Sequence, residues 1–259
     1  MSSGYCQLVT CYQVAGEKRY KEAECFLPWE ERIQKEMIWK LLKILVGIML
    51  LPVCVGASRA FYNLLISIKG VDQTGLFFLA GAAAYSLFYF SSLKFKFLYV
   101  FGHEATHAVL TLLCGGRVKS FRVSRKGGSV STTKSNVVIS LGPYFLPIYT
   151  LFFSLAFFLC GIFISATYDY SGAFIFFLGF SIAFHFLMTL DSLRIEQPDL
   201  AENGHLFSLT LIYLVNLVIL AMLLGLLFNR AGIGTFFTDT AAYIKNITLF
   251  IWNTIMQRD

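Results

Sequence analysis

Residues 101–110 read FGHEATHAVL. His103 and His107 are four positions apart, so on an α-helix they lie one turn above each other on the same face. Two imidazoles at that spacing can grip one Zn²⁺. Glu104 beside them can then take a proton from a water that the ion has made acidic. HExxH alone is a loose pattern, but its setting sharpens it. The surrounding stretch, residues 95–114, is apolar, and a glutamate inside an apolar span costs on the order of several kcal/mol unless it is paired or hydrated. Two of the chain's four histidines fall in this single turn. The plainer alternative is a polar cluster that joins helices by hydrogen bonds.

A catalytic zinc needs a third protein ligand and an open position for water. The polar residues near later span ends are His185, Asp191, Glu196, Asp199, Glu202 and His205. By spacing, Asp191 and Asp199 are equivalent candidates, since both end or follow an apolar span.

The elements that must position these groups are membrane elements. The chain has 259 residues, 57% hydrophobic and 17% aromatic, with only 14% charged and a mean hydropathy of +0.67. A water-soluble fold of this size needs more polar coverage than that, so the lipid bilayer is the expected solvent. About six apolar spans are expected, at residues 37–56, 74–90, 95–114, 137–165, 172–190 and 207–228. Gly142, Pro143 and Pro147 interrupt the fourth, which predicts a kink or a partly unwound entry. Residues 1–36 form a polar head, residues 37–230 the membrane domain, and residues 231–259 a tail in which 243–255 reads as a short interfacial helix. Pro28, Trp29, Glu30 and Glu31 look like a helix start running into the membrane. The polar opening is unlike a cleaved signal peptide, so the first span is expected to stay as an anchor. Residues 115–134 differ from their neighbours. Val118, Phe121, Val123 and Val130 flank the pair Gly127–Gly128, which predicts a small β-hairpin or sheet edge. The expected fold is thus an all-α polytopic membrane protein with one small β-hairpin after the HExxH helix.

The net charge of +6 fits basic loops near anionic headgroups. No basic run interleaved with aromatics stands clear of the apolar spans, so nucleic acid is not an expected partner. Lys and Arg are balanced across the two orientations, so charge does not orient the chain. The cysteines, at 6, 11, 25, 54, 114 and 160, include no CxxC pair. That argues against a zinc ribbon or a disulfide scaffold and for free thiols.

The run HEATHAVLTLLCGGRV, the β-like stretch with Gly127–Gly128, and LGPYFLP at residues 141–147 together resemble the site-2 protease family of intramembrane zinc metalloproteases, over residues 95–207. The resemblance implies peptide-bond hydrolysis in a membrane-anchored protein substrate, with His103 and His107 as zinc ligands, Glu104 as general base and a later Asp completing the site. The family's Leu-Asp-Gly signature is replaced here by Leu190-Asp191-Ser192. The element Gln197-Pro198-Asp199-Leu200, followed by Gly204, is similar to one in divergent bacterial members. The resemblance therefore favours Asp199, with Asp191 the alternative, and implies a bacterial inner membrane. The Asn that often follows the family's Gly-Pro is absent after Gly142-Pro143. Asn136 is the nearest residue able to hold a scissile carbonyl, although capping the following helix is its plainer role.

A helical substrate must be unwound before its carbonyls are reachable, and an edge strand can supply replacement backbone partners. Val123 and Val130 in residues 115–134 are the expected strand positions for this, against the alternative of a plain solvent loop. Three other readings use the same residues: a metal-binding transporter or sensor, an inactive protease-like scaffold, and a zinc protease with Glu196 or Glu202 as ligand. Internal repeats are not evident, which weighs against a transporter of duplicated halves.

Overall fold

In the computed structural model, residues 29–91, 94–124, 127–163, 171–195, 197–228 and 232–257 are described. Residues 1–28 of the expected head, including Cys6, Cys11, Cys25 and Pro28, lie outside them, and its residues 29–36 belong to the first helix. Helix α1 (Trp29–Ser67) is 39 residues long, and its Trp29 is the first described residue. It runs well past the expected end at residue 56, because Ala57, Ala60 and Leu64 continue its inward face and pack against Leu217, Ala221 and Phe236. Its outer face, with Leu41, Leu45, Ile48 and Met49, is exposed. An aliphatic surface of that extent suits hydrocarbon and not water.

Asp72 caps α2 (Gln73–Phe90), its side chain accepting from the Gly75 N–H at 2.8 Å. Helix α3 (Lys96–Leu113) carries the HExxH turn. It leads into strands β1 (Val118–Ser124) and β2 (Gly127–Thr132), an antiparallel pair in which Phe121 faces Val130 and Val123 faces Gly128. The expected hairpin is therefore present, and it packs on α3. The stretch expected as one span from residue 137 is broken as Gly142 and Pro143 predict. A short α4 (Val137–Leu141) passes into a 3-10 turn (Gly142–Tyr144), and α5 (Ile148–Phe163) leaves at 83°. Helix α6 (Ser171–Leu193) packs along α2. Gly81 and Gly179 lie where any side chain would strike the backbone of the opposite helix at Phe176 and Phe78, the close approach that small residues permit between membrane helices. A short α7 (Pro198–Asn203) and α8 (His205–Phe228) follow.

Helix α9 (Gly232–Met256) differs from the expected short interfacial segment. It is 25 residues long and lies against α1, because Phe236, ahead of the apolar run read from the sequence, is buried in the α1–α8 cluster.

Among the described residues three helices are long and apolar enough to cross a membrane: Ile33–Ser67, Ser171–Leu193 and His205–Phe228. There are four if the bent pair from Val137 to Ile162 is one span. This is a mostly helical membrane protein with a small sheet, with fewer clear crossings than the six expected. The shortfall falls on α2 and α3. Each has 18 residues but is less apolar than the three spans: Gln73, Tyr85, Ser86 and Tyr89 dilute α2, and Lys96, His103, Glu104 and His107 dilute α3.

Candidate metal centre

Helix α3 stacks the two imidazoles as its period requires, with ring centroids 4.9 Å apart. Asp199, 92 residues after His107 by subtraction of their positions, comes to the same point. Its Oδ2 lies 3.7 Å from His103 Nε2 and 3.5 Å from His107 Nε2, and one ligand atom from each residue falls within 4.8 Å of the others. Two ligand atoms on a tetrahedral ion at about 2.0–2.1 Å lie about 3.3 Å apart. The two carboxylate–imidazole distances are within a few tenths of an ångström of that value, and the two imidazole nitrogens lie within 4.8 Å of each other. Burial raises the Asp199 carboxyl, but the facing imidazoles more than reverse this and hold it below the usual carboxylate range, in the anionic form a cation requires.

Local sequence explains how each ligand is held. Pro198 sits in the first turn of α7 and Gly204 ends it with φ +83°. Asn203 Nδ2 donates to Ser140 Oγ at 2.9 Å and to the Asp199 carbonyl at 3.1 Å. Leu200 packs with Leu141, Tyr144 and Ile212. From α1, Lys43 Nζ donates to Asn203 Oδ1 at 3.1 Å. Asp199 is thus presented by a helical turn tied to α4.

His107 Nδ1 lies 2.8 Å from the Ile139 carbonyl oxygen, so Nδ1–H donates there and Nε2 keeps its lone pair for the centre. That carbonyl is free for a reason visible in the chain. A helical partner would be the N–H of residue 143, and residue 143 is proline. Gly142 complements it, because any side chain there would strike Leu110 of α3. The Gly-Pro pair thus lets the turn lie against α3 and leaves a backbone acceptor for His107.

Glu104 is 8% exposed and lies under β2, where a Cβ added at Gly128 would come 2.5 Å from Glu104 Cγ. A cavity of about 440 Å³ opens over this group, lined by His103, Glu104, His107, Val130, Gln197 and Asp199 among others.

No protein-family model, curated protein or solved structure matches the chain. The assignment of roles therefore stands on geometry. Asp191, the alternative ligand, is engaged elsewhere: Lys94 Nζ donates to it at 2.8 Å, Tyr89 Oη at 2.6 Å and Arg194 Nη1 at 3.4 Å. Asn136 caps α4, its Oδ1 accepting from the Ile139 N–H at 2.8 Å, and it is not among the residues lining the cavity. Val130 lines the cavity and Val123 does not. Glu202 and His205 are exposed, and Glu196 lies outside the described residues. Sequence reasoning missed Tyr144. It is fully buried, its ring centroid lies 5.1 Å from that of His103, and its hydroxyl donates to Asp199 Oδ2 at 3.2 Å. The only signal for it was a hydroxyl-bearing aromatic directly after the Gly-Pro turn.

Two outcomes follow. Asp199→Ala will purify with less divalent metal than the wild type, whereas Asp191→Ala will match the wild type, as elemental analysis will show. Pro143→Ala restores an N–H that competes for the Ile139 carbonyl. Its metal affinity, measured by chelator competition, will fall about 10–100-fold, the range for loss of a ligand's outer partner.

Proposed function

We propose that the chain is an intramembrane zinc metalloprotease of the site-2 protease type, cleaving membrane-anchored protein substrates. The observation that supports this best is the convergence of His103, His107 and Asp199 within 4.8 Å, beside Glu104 and at the floor of a cavity of about 440 Å³, in a chain rich in apolar helices. Two imidazoles and one carboxylate match a catalytic zinc site that keeps an open position.

Zinc bound there would acidify a water and polarise the scissile carbonyl. The chain's own groups do the rest. His103 and His107 present Nε2, and the Ile139 carbonyl keeps His107 in the tautomer that allows it. The Glu104 carboxylate takes the proton of the attacking water and passes it to the nitrogen of the leaving amine. Burial under β2 keeps that carboxylate in place and shields it from bulk water. Tyr144 holds Asp199 by its Oδ2.

The edge of β2 away from β1 has no strand partner among the described residues, and β2 contributes Gly128, Ser129 and Val130 to the cavity wall. An unwound stretch of substrate can pair with this edge, its backbone exchanging internal hydrogen bonds for those of the strand. Counting α2 and α3 as crossings gives about six spans. A bacterial inner membrane is the location implied by the family resemblance.

Glu104→Gln keeps size and packing but cannot carry the proton. Cleavage of a membrane-anchored test substrate will fall by about 10²–10⁴-fold with zinc content unchanged, while His103→Ala will lose both. Val130→Pro removes a strand N–H at the cavity wall, and it will slow cleavage while zinc content stays at the wild-type level. Full activity in Glu104→Gln would remove the protease assignment, and unchanged cleavage in Val130→Pro would remove the strand's role.

A further inference from the structure

Helix α1 brings a cation to the metal centre from outside it. Lys43 lies in the apolar stretch Ile33–Ser67, between Leu42 and Ile44, and is half-buried. A lysine inside a membrane helix is costly unless it is paired. Lys43 Nζ finds two acceptors at the end of α7: the Glu202 carbonyl at 3.3 Å and Asn203 Oδ1 at 3.1 Å. The last carbonyls of a helix have no partner of their own, and a lysine can satisfy them. One turn further along the same face of α1, Gly47 is buried, and a Cβ there would come 3.1 Å from the Phe207 backbone nitrogen. Gly47 thus lets α1 lie close to the start of α8, which brings Lys43 within reach of Asn203.

Asn203 is 4% exposed and uses both ends of its amide. Its oxygen accepts from Lys43, and its Nδ2 donates to Ser140 Oγ at 2.9 Å and to the Asp199 carbonyl at 3.1 Å. An ammonium only donates, and so does the amide NH₂. Lys43 therefore dictates which way the amide faces. Turned over, Asn203 would set its NH₂ against the ammonium and its oxygen against the Asp199 carbonyl.

We propose that Lys43 is a positioning residue for the metal ligand Asp199, acting through Asn203. The ammonium fixes the amide, and the amide holds the Asp199 backbone to Ser140. Asp199 Oδ2 is thereby kept towards the two imidazoles, 3.5 Å from His107 Nε2. Among the described residues, α1 supplies none of those lining the metal cavity. The packing of α1 nonetheless bears on metal binding, a link that the spacing of the ligands does not assign. The inference rests on the metal-centre reading above.

The test uses the full-length purified chain and zinc alone, with the dissociation constant read by competition with a chromophoric chelator. Lys43→Met keeps most of the length and removes the donor, Lys43→Arg retains a donor-only cation, and Asn203→Ala removes the amide. Asn203→Ala will bind zinc about 10–100-fold more weakly than wild type, and Lys43→Met about 10-fold more weakly. Lys43→Arg will recover most of that loss. The double variant Lys43→Met/Asn203→Ala will be little worse than Asn203→Ala alone, because the lysine acts through the amide. Ser58→Ala breaks a bond of α1 to α8 elsewhere, to Tyr213 Oη at 2.6 Å, about four turns along α1. It will bind zinc as the wild type does. Wild-type affinity in Lys43→Met, with or without a lower unfolding temperature of the zinc-free chain, overturns this inference and leaves the metal centre standing. An equal loss in Ser58→Ala does the same. A wild type that takes up no zinc overturns both. If Lys43→Met fails to fold, Lys43→Ala, a good helix former without the donor, decides in its place.

Discussion

The bond from His107 to the carbonyl of Ile139 is the constraint on which the centre depends. It exists because Pro143 has no N–H to claim that carbonyl. Through it α3 is fixed to α4. Ser140, one residue further along α4, is bound by Asn203, which fixes α4 to α7 and thereby Asp199 to the two imidazoles. The ring α3–α4–α7 closes on itself through backbone and small polar groups, with apolar packing from Leu141, Tyr144, Leu200 and Ile212 behind it. No large domain is needed to bring residues 103 and 199 together.

The surroundings make this ring consequential. A chain whose outer helices expose aliphatic side chains has little room for polar groups that are not satisfied. The polar atoms of the centre lie between a hairpin that covers Glu104 and a turn that frees one carbonyl. In the proposed reading, β2 does two things. It presses Gly128 on the base, and it offers a free edge where a substrate backbone can unwind. The absence of a side chain at Gly128 serves the first, since a Cβ would occupy the position of Glu104.

Much of the arrangement was legible in the chain, and what was not has physical causes. The His103–Glu104–His107 face follows from helical periodicity alone. The break near residue 142 follows from Gly142, Pro143 and Pro147, and the hairpin from alternating β-formers about Gly127–Gly128. Asp191 and Asp199 could not be separated by spacing, because the difference between them is tertiary: Lys94 and Tyr89 come from distant positions to occupy Asp191. Asn136 spends its oxygen on a helix cap, a demand set by where α4 starts. Tyr144 read as one more aromatic in an apolar run, since nothing local shows that its hydroxyl meets Asp199. The length of α9 was hidden because its inward face mixes apolar Phe236 and Tyr243 with polar Asp239, which Asn63 of α1 binds.

The central claim is that two imidazoles and a carboxylate hold a zinc ion. X-ray absorption at the zinc edge of the purified, zinc-loaded chain tests it most directly. The account predicts one ion in a shell of nitrogen and oxygen atoms at about 2.0–2.1 Å with the outer scattering of two imidazoles. A sulfur shell at about 2.3 Å, or a protein that takes up no zinc at all, would contradict it.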